Sequence, residues 1–439
     1  MSLFSNQGSP YNSSIWLPTA NTNVWRKPLS REQSIREAVL LAFCDPQSAQ
    51  SLQLLNISSK EWQTLLRWLD ISGLALYFLA RIIELQLCDV LPLDVLMRLQ
   101  QSLTNNTDRT QGMLAESITI QQEFQEARFS YATLKGFSLC PFSAPRLELR
   151  HQFDLDFLVA EKDVAEARRI LEQRGYRLYA ISGRSWEFKI NEMPGVSLKD
   201  MYKDLPGRSV ELHVESSTPC RPSLLERIER RELYGMSMPV LSPVDLFLGQ
   251  GLHAYKHVCS EFSRTAHLLE FRRHVLARRD DEIFWDELRA VAEEDPKTFL
   301  GLGVVTQLIS HVMGDFAPEE FTNWTVARLP RATRRWVEMY GCRTVLGSFP
   351  GNKLYLLLQR ELESAGVPSK RSLRQALLPS RLPPPVTRAS ADETMSIRIR
   401  RYRMQIQLIF SRLRFHIIEG LRYAWESYRW RQRKNWVTR

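Results

Sequence analysis

The 439-residue chain has no apolar run long enough, roughly 18 residues, to cross a membrane. No internal repeat is visible. The six cysteines, Cys44, Cys88, Cys140, Cys220, Cys259 and Cys342, stand singly. Without a CxxC pair there is no signal for a zinc ribbon or a disulfide framework, so reduced, mostly buried thiols are expected. No GxxxxGK[ST] occurs, which excludes a P-loop. "GLGVV" at Gly301 lacks the third glycine of a dinucleotide fingerprint and sits among helical residues. There is no GxSxG nucleophile elbow. The N-terminal "MSLFSNQGSPYNSS" is polar and has no charged-then-apolar signal. A cytoplasmic protein is expected.

What is present is an ordinary globular composition, 44% hydrophobic and 25% charged. The length suggests two or three domains. The formal net charge is +10, and residues 395–439 carry all of it, with eleven arginines and one lysine against Glu419 and Glu426. The body is neutral in sum.

Periodicity divides the chain. Residues 1–30 read as a loose leader and 31–110 as a helical region. Ser58 and Glu61 have capping-box spacing, Ile57 and Trp62 fit a hydrophobic staple, and Gly73 is a plausible stop. "LALYFLARIIELQL" and "RTQGMLAESITIQQEFQEAR" are further helices. Residues 111–240 form the α/β core. "YATLKG" is a short apolar run, "FDLDFLV" alternates with period two, and "DVAEARRILEQRG" returns to helix. "YRLYAI", "WEFKI" and "SVELHVE" are strand candidates. Residues 241–365 are again helical, 366–394 are a proline-rich linker, and 395–439 are a basic, aromatic amphipathic helix. The fold class expected is α+β, a small mixed sheet flanked by helical regions.

Alternation puts Asp154 and Asp156 on one strand face, with Phe153, Leu155 and Phe157 packed on the other. Taken alone, the pair reads first as the solvated face of an edge strand. A dication between the two carboxylates would remove their repulsion, and carboxylate oxygens suit Mg²⁺ or Mn²⁺. "VELHVE" puts Glu211, His213 and Glu215 on one face. If this strand lies beside the first, Glu211 becomes a third carboxylate. Gly136 would let the backbone turn beside a phosphate, and Lys135 would add charge there; a surface lysine is the plain alternative.

His253 and His257, four apart on one helix face, invite a zinc reading with His213 as third ligand. The glutamate of HExxH is missing, since Ala254 stands there. A helix face lining a nucleotide cleft, or plain structural histidines, are the competing readings. Lys256, Arg264, Arg272 and Arg273 are further phosphate candidates, the last two more readily a solvated face. The tail has three readings: nucleic-acid binding with aromatic stacking, an anionic membrane surface, or packing of its apolar face on the body.

In order, the strand ending in "KG", "RHQFDLDFLV", a helix ending in "RGY" and "VELHVE" resemble the uncharacterised bacterial nucleotidyltransferase family of the DNA polymerase β superfamily. The resemblance runs from about Arg31 to Leu300. It implies transfer of a nucleoside monophosphate from an NTP to a hydroxyl acceptor (a small molecule, a protein or an RNA end) by two-metal chemistry. It also implies Mg²⁺ or Mn²⁺ on Asp154, Asp156 and Glu211, a turn at Gly136, and a phosphate contact from Arg150. Lys135, His213, His253 and His257 complete the expected nucleotide contacts. Two departures bear on the nucleotide pose: Phe137 follows the turn glycine and Phe153 precedes the acid pair, where the superfamily commonly has small residues. The alternative is a non-catalytic nucleotide-binding or assembly protein on the same fold, with the tail for membrane or nucleic acid.

Overall fold

The capping box does what its spacing predicts. Ser58 Oγ accepts from the Glu61 amide, and Glu61 accepts from the Ser58 amide at 2.8 Å. This starts α2 (Ser59–Ser72), and Gly73 ends it at φ +77°. It follows α1 (Arg31–Leu41) and precedes α3 (Ala75–Glu84). The computed structural model describes residues 29–44, 57–191, 200–205, 207–215, 222–233, 235–368, 372–378 and 394–437. Side chains are described for all of these but 236 and 433–437. The leader, except its last two residues, and most of the proline-rich linker lie outside the described residues.

Helix α4 (Leu93–Glu126) is longer than the periodic stretch read from sequence. At 1.5 Å per residue its 34 residues span about 50 Å. It joins two cores. Val95 and Leu99 belong to a helical cluster, and Met113, Ile120 and Phe124 to the cluster under the sheet.

Among the described residues the sheet has seven strands: β1 (Tyr131–Leu134), β2 (Asp154–Ala160), β3 (Arg177–Ser182), β4 (Ser185–Ile190), β5 (Arg208–Glu215), β6 (Glu229–Leu233) and β7 (Met236–Val240). Their order is β3-β4-β5-β2-β1-β7-β6, with β2 parallel to β5 and antiparallel to β1. Leu155, Phe157, Val210 and Leu212 face Phe124 and, from α5 (Val164–Gln173), Ile170 and Leu171. That face is apolar, so the alternating acids are turned to the other.

Three differences from the sequence reading stand out. Phe153 does not pack under the sheet. It precedes β2, is 43% exposed, and lies under the Arg109 guanidinium, 5.0 Å from the ring centroid. Strands β6 and β7 were not legible: "ERREL" is a charged edge strand and "MSMPV" contains Pro239. Arg272 and Arg273 are not on a solvated face. Arg272 is buried over the Phe316 ring, and Arg273 is half-buried over Tyr77.

The remaining helices are α6 (Pro243–Val258), α7 (Thr265–Ala277), α8 (Glu282–Ala292), α9 (Pro296–Met313), α10 (Glu319–Trp324), α11 (Arg331–Val345), α12 (Tyr355–Glu363), α13 (Leu373–Leu377) and α14 (Met395–Val437). One hydrophobic cluster gathers Trp62 and Tyr77 from before the sheet with Phe247, Trp285 and Trp336 from after it. Tyr423 and Trp430 of α14 join the same cluster. Among the described residues no helix is long and apolar enough to cross a membrane.

Candidate active site

Parallel pairing of β2 and β5 sets Asp154 opposite Ser209, Asp156 opposite Glu211 and Leu158 opposite His213. Asp156 and Glu211 therefore stand side by side on one face. His213, two residues further along β5, turns back onto both. Its Nε2 is 2.8 Å from Asp156 Oδ1 and 3.4 Å from Glu211 Oε2. Ligand atoms of Asp156, Glu211 and His213 all lie within 4.8 Å of one another. Asp154 is outside that tight set but shares its field. Burial, then the charge of Asp156, pushes its carboxyl up to about 6.

The turn after β1 brings the cation. Lys135 sits at φ +49° and Gly136 at φ +43°, consecutive residues in the left-handed region, where a non-glycine residue is strained. A Cβ on Gly136 would come 2.7 Å from Gln152 Oε1. This turn aims Lys135 Nζ at the acids, 2.7 Å from Asp156 Oδ1 and 3.9 Å from Glu211 Oε2. Burial lowers the lysine pKa, but the acids around it, Asp156 first and then Asp154 and Glu211, together outweigh burial and leave it raised. His213 is raised too, because its bonds to Asp156 and Glu211 overcome burial. Glu211 is held well below the usual carboxylate range, first by the hydrogen bond from His213, then against burial by the Ser185 hydroxyl, which donates to Oε1.

Arg150 comes off the loop before β2. Its Nη1 donates to Gln152 Oε1 at 3.2 Å, and its Nε lies 3.2 Å from Glu270 Oε1 without the alignment of a hydrogen bond. Its guanidinium is thus partly engaged within the protein. Lys135 and Arg150 both line a cleft of about 1180 Å³, which His253, His267 and Glu270 close from the helical side. That volume is ample for a nucleotide.

The carboxylates, His213, Lys135 and Gly136 are thus gathered in one place, with Arg150 beside them. His253 and His257 lie on the helical side, where they meet His267 rather than His213. Ser185, Gln152, His267 and Glu270 were not found from sequence. Ser185 opens an antiparallel neighbour of β5, and His267 and Glu270 come from the following helix. Only tertiary pairing reveals them. The donor set, carboxylates with one imidazole, fits an oxygen-preferring dication.

A family model described as an uncharacterised nucleotidyltransferase matches residues 58–313, a span containing every residue of this site. Among solved structures, an antigenic nucleotidyltransferase-like protein from Paracoccidioides brasiliensis is similar at 16% identity, over 44% of this chain and 92% of its own, with a TM-score of 0.28. No curated protein matches the chain.

Proposed function

The chain belongs to the uncharacterised nucleotidyltransferase family, and on that premise we propose that it transfers a nucleoside monophosphate from an NTP to a hydroxyl acceptor, with Mg²⁺ or Mn²⁺ as cofactor. The observation that carries this is the in-register pairing of Asp156 with Glu211, with Asp154 on the same face. Asp154, Asp156 and Glu211 would hold the dications, with His213 behind them. When bound, such ions stabilise the attacking and leaving oxygens of an in-line displacement. The protein's own groups do the rest. Lys135 and Arg150, on the cleft wall, neutralise the triphosphate. Glu211, kept ionised by His213 and Ser185, is a weak base and serves through its charge. His213 fixes the orientation of both carboxylates. Gly136 lets the chain approach the phosphates closely.

A purely structural or assembly role offers no return for crowding like charges where burial and Asp156 already oppose ionisation of Asp154. The test is incubation with each α-³²P-NTP and Mg²⁺ or Mn²⁺, with and without cell extract. Wild type should label an acceptor or release pyrophosphate, and Asp156→Asn and Glu211→Gln should fall to background. Equal labelling by wild type and variants would overturn the proposal. The four NTPs, run separately, report the base preference.

For the tail we propose an anionic membrane surface. Phe415, Tyr423 and Trp430 of α14 are buried against the body, with Trp430 Nε1 donating to Glu361 at 2.8 Å. Away from that contact Ile399, Ile406, Phe410, Leu413, Ile417 and Leu421 are all exposed, at steps of three, four or seven residues. They form one apolar stripe about 33 Å long. Nine arginines lie between Arg398 and Arg431, and the only acids there, Glu419 and Glu426, are buried and paired with Arg422 and Arg429. The stripe is mostly aliphatic. It suits acyl chains better than nucleobases, which stack on aromatic rings. Vesicles with phosphatidylserine should sediment the protein and neutral vesicles should not. Leu413→Gln with Leu421→Gln should abolish sedimentation. RNA retention with no vesicle binding would refute it.

A further inference from the structure

Three imidazoles meet on the helical side of the cleft. His253 and His257 share a face of α6, and His267 enters from the first turn of α7. Their ring centroids are 4.7, 4.6 and 4.5 Å apart, a nearly equilateral triangle. A coordinating nitrogen from each lies within 4.8 Å of the others. Among the described residues, no hydrogen bond joins these rings to one another, and the rings of His253 and His257 bond to no other group. His253 and His257 are only half-buried, so these nitrogens stay within reach of a ligand. Burial keeps the rings in the neutral form that ligates metals. It lowers His253 and His267, and it pushes His257 down to about 3.

The surroundings are arranged as for a ligand set. His267 Nδ1 lies 3.6 Å from Glu270 Oε2, leaving Nε2 to the cluster, and Tyr77 Oη donates to Glu270 Oε1 at 3.0 Å. A carboxylate behind a ligating histidine fixes the ring and raises its basicity. We propose that His253, His257 and His267 hold one divalent transition-metal ion of the zinc or cobalt class, with its remaining position turned to the cleft. Imidazole favours such ions over Mg²⁺, so this site and the carboxylate site would sort different metals. Lys135, Arg150 and Arg264 make the local field positive. They would oppose a bare dication but favour an anionic oxygen, such as a phosphate, as its fourth ligand.

The test uses full-length protein stripped with chelator and titrated with Co²⁺, read by its visible d–d absorption, then displaced by Zn²⁺. Wild type should bind one Co²⁺ per chain with tetrahedral-type bands that excess Mg²⁺ leaves in place. Half-buried His257, replaced by Ala or by Gln, should lose the bands. Glu270→Gln should weaken binding about 10- to 100-fold. The Asp156→Asn/Glu211→Gln variant should keep the bands, which separates this site from the carboxylate one. Melting of the metal-free variants shows which are folded, and the folded His257 variant decides. Absence of stoichiometric Co²⁺ binding by wild type would overturn the proposal. So would bands that survive His257 replacement, or bands that vanish only with the carboxylates.

Discussion

Asp156 and Glu211 stand opposite each other on adjacent parallel strands, and His213 Nε2 closes on both, at 2.8 and 3.4 Å. The histidine therefore does two things. It satisfies a buried aspartate, and it holds Glu211 ionised far into acid.

Replacing His213 with Ala separates these effects. Glu211 loses the largest contribution keeping its pKa low, so its carboxylate protonates at a higher pH than in wild type. Asp154, pushed up to about 6, sets the acid limb of wild type. In the variant Glu211 also protonates in acid, so activity should fall more steeply below that limb than in wild type, and activity at neutral pH should fall about 10- to 100-fold as for a lost supporting contact. Rate profiles between pH 4 and 9 check this. An acid limb no steeper than that of wild type would show that Glu211 ionisation does not govern the rate.

Gly136→Ala puts a side chain at φ +43° and 2.7 Å from Gln152 Oε1. Gln152 is held by Arg150, so relief of the contact disturbs the arginine as well. A stability loss of about 1–3 kcal/mol is expected from the strained backbone, with a weaker apparent affinity for NTP. Urea unfolding and NTP titration measure the two.

Much of this site was legible because strands have period two. "FDLDFLV" and "VELHVE" sort acids from apolar residues on their own, and the parallel register then aligns Asp156 with Glu211. The helix starts were legible too, since the Ser58–Glu61 box is a local device. What was not legible depends on partners distant in sequence. Arg150 stands four residues before Asp154 and reads as a phosphate contact, yet Glu270, 120 residues on, is its ionic neighbour. His267 gives no signal beside "HAYKH" until α7 folds back on α6. Edge strand β6 was missed because its side chains follow solvent exposure rather than a buried face.

His274 makes stability depend on acid. It is 1% exposed, stacks on Phe142, and its Nδ1 is 2.8 Å from Gln250 Oε1. Burial, aided by Arg278 and Arg231, pushes its pKa down to about 3. The unfolded chain takes up this proton near pH 6.5, before the folded one does. Its contribution is whole above pH 6.5 and is lost progressively down to about 3. At pH 5 the loss is about 2 kcal/mol. His274→Asn should flatten the difference in unfolding free energy between pH 7 and pH 5 by about that much. An unchanged difference in urea titrations would assign the acid sensitivity to other groups.

Lys135 should give opposite signs in two measurements. Its ammonium lies between the carboxylates, 2.7 Å from Asp156 and 3.9 Å from Glu211, where it competes with a dication for the same oxygens. It also lines the cleft in which a triphosphate would lie. Lys135→Met keeps the length and removes the charge. Asp156 keeps His213 as a partner, so the fold should survive. Without nucleotide, Mn²⁺ should bind the variant more tightly than wild type, because the competing cation is gone. With nucleotide, KM for NTP should rise about 10- to 100-fold, the worth of a charge-assisted contact. Mn²⁺ titration by electron paramagnetic resonance gives the first number and steady-state kinetics the second. If both affinities fall together, the lysine is an organiser of the acids rather than a competitor for their ligand.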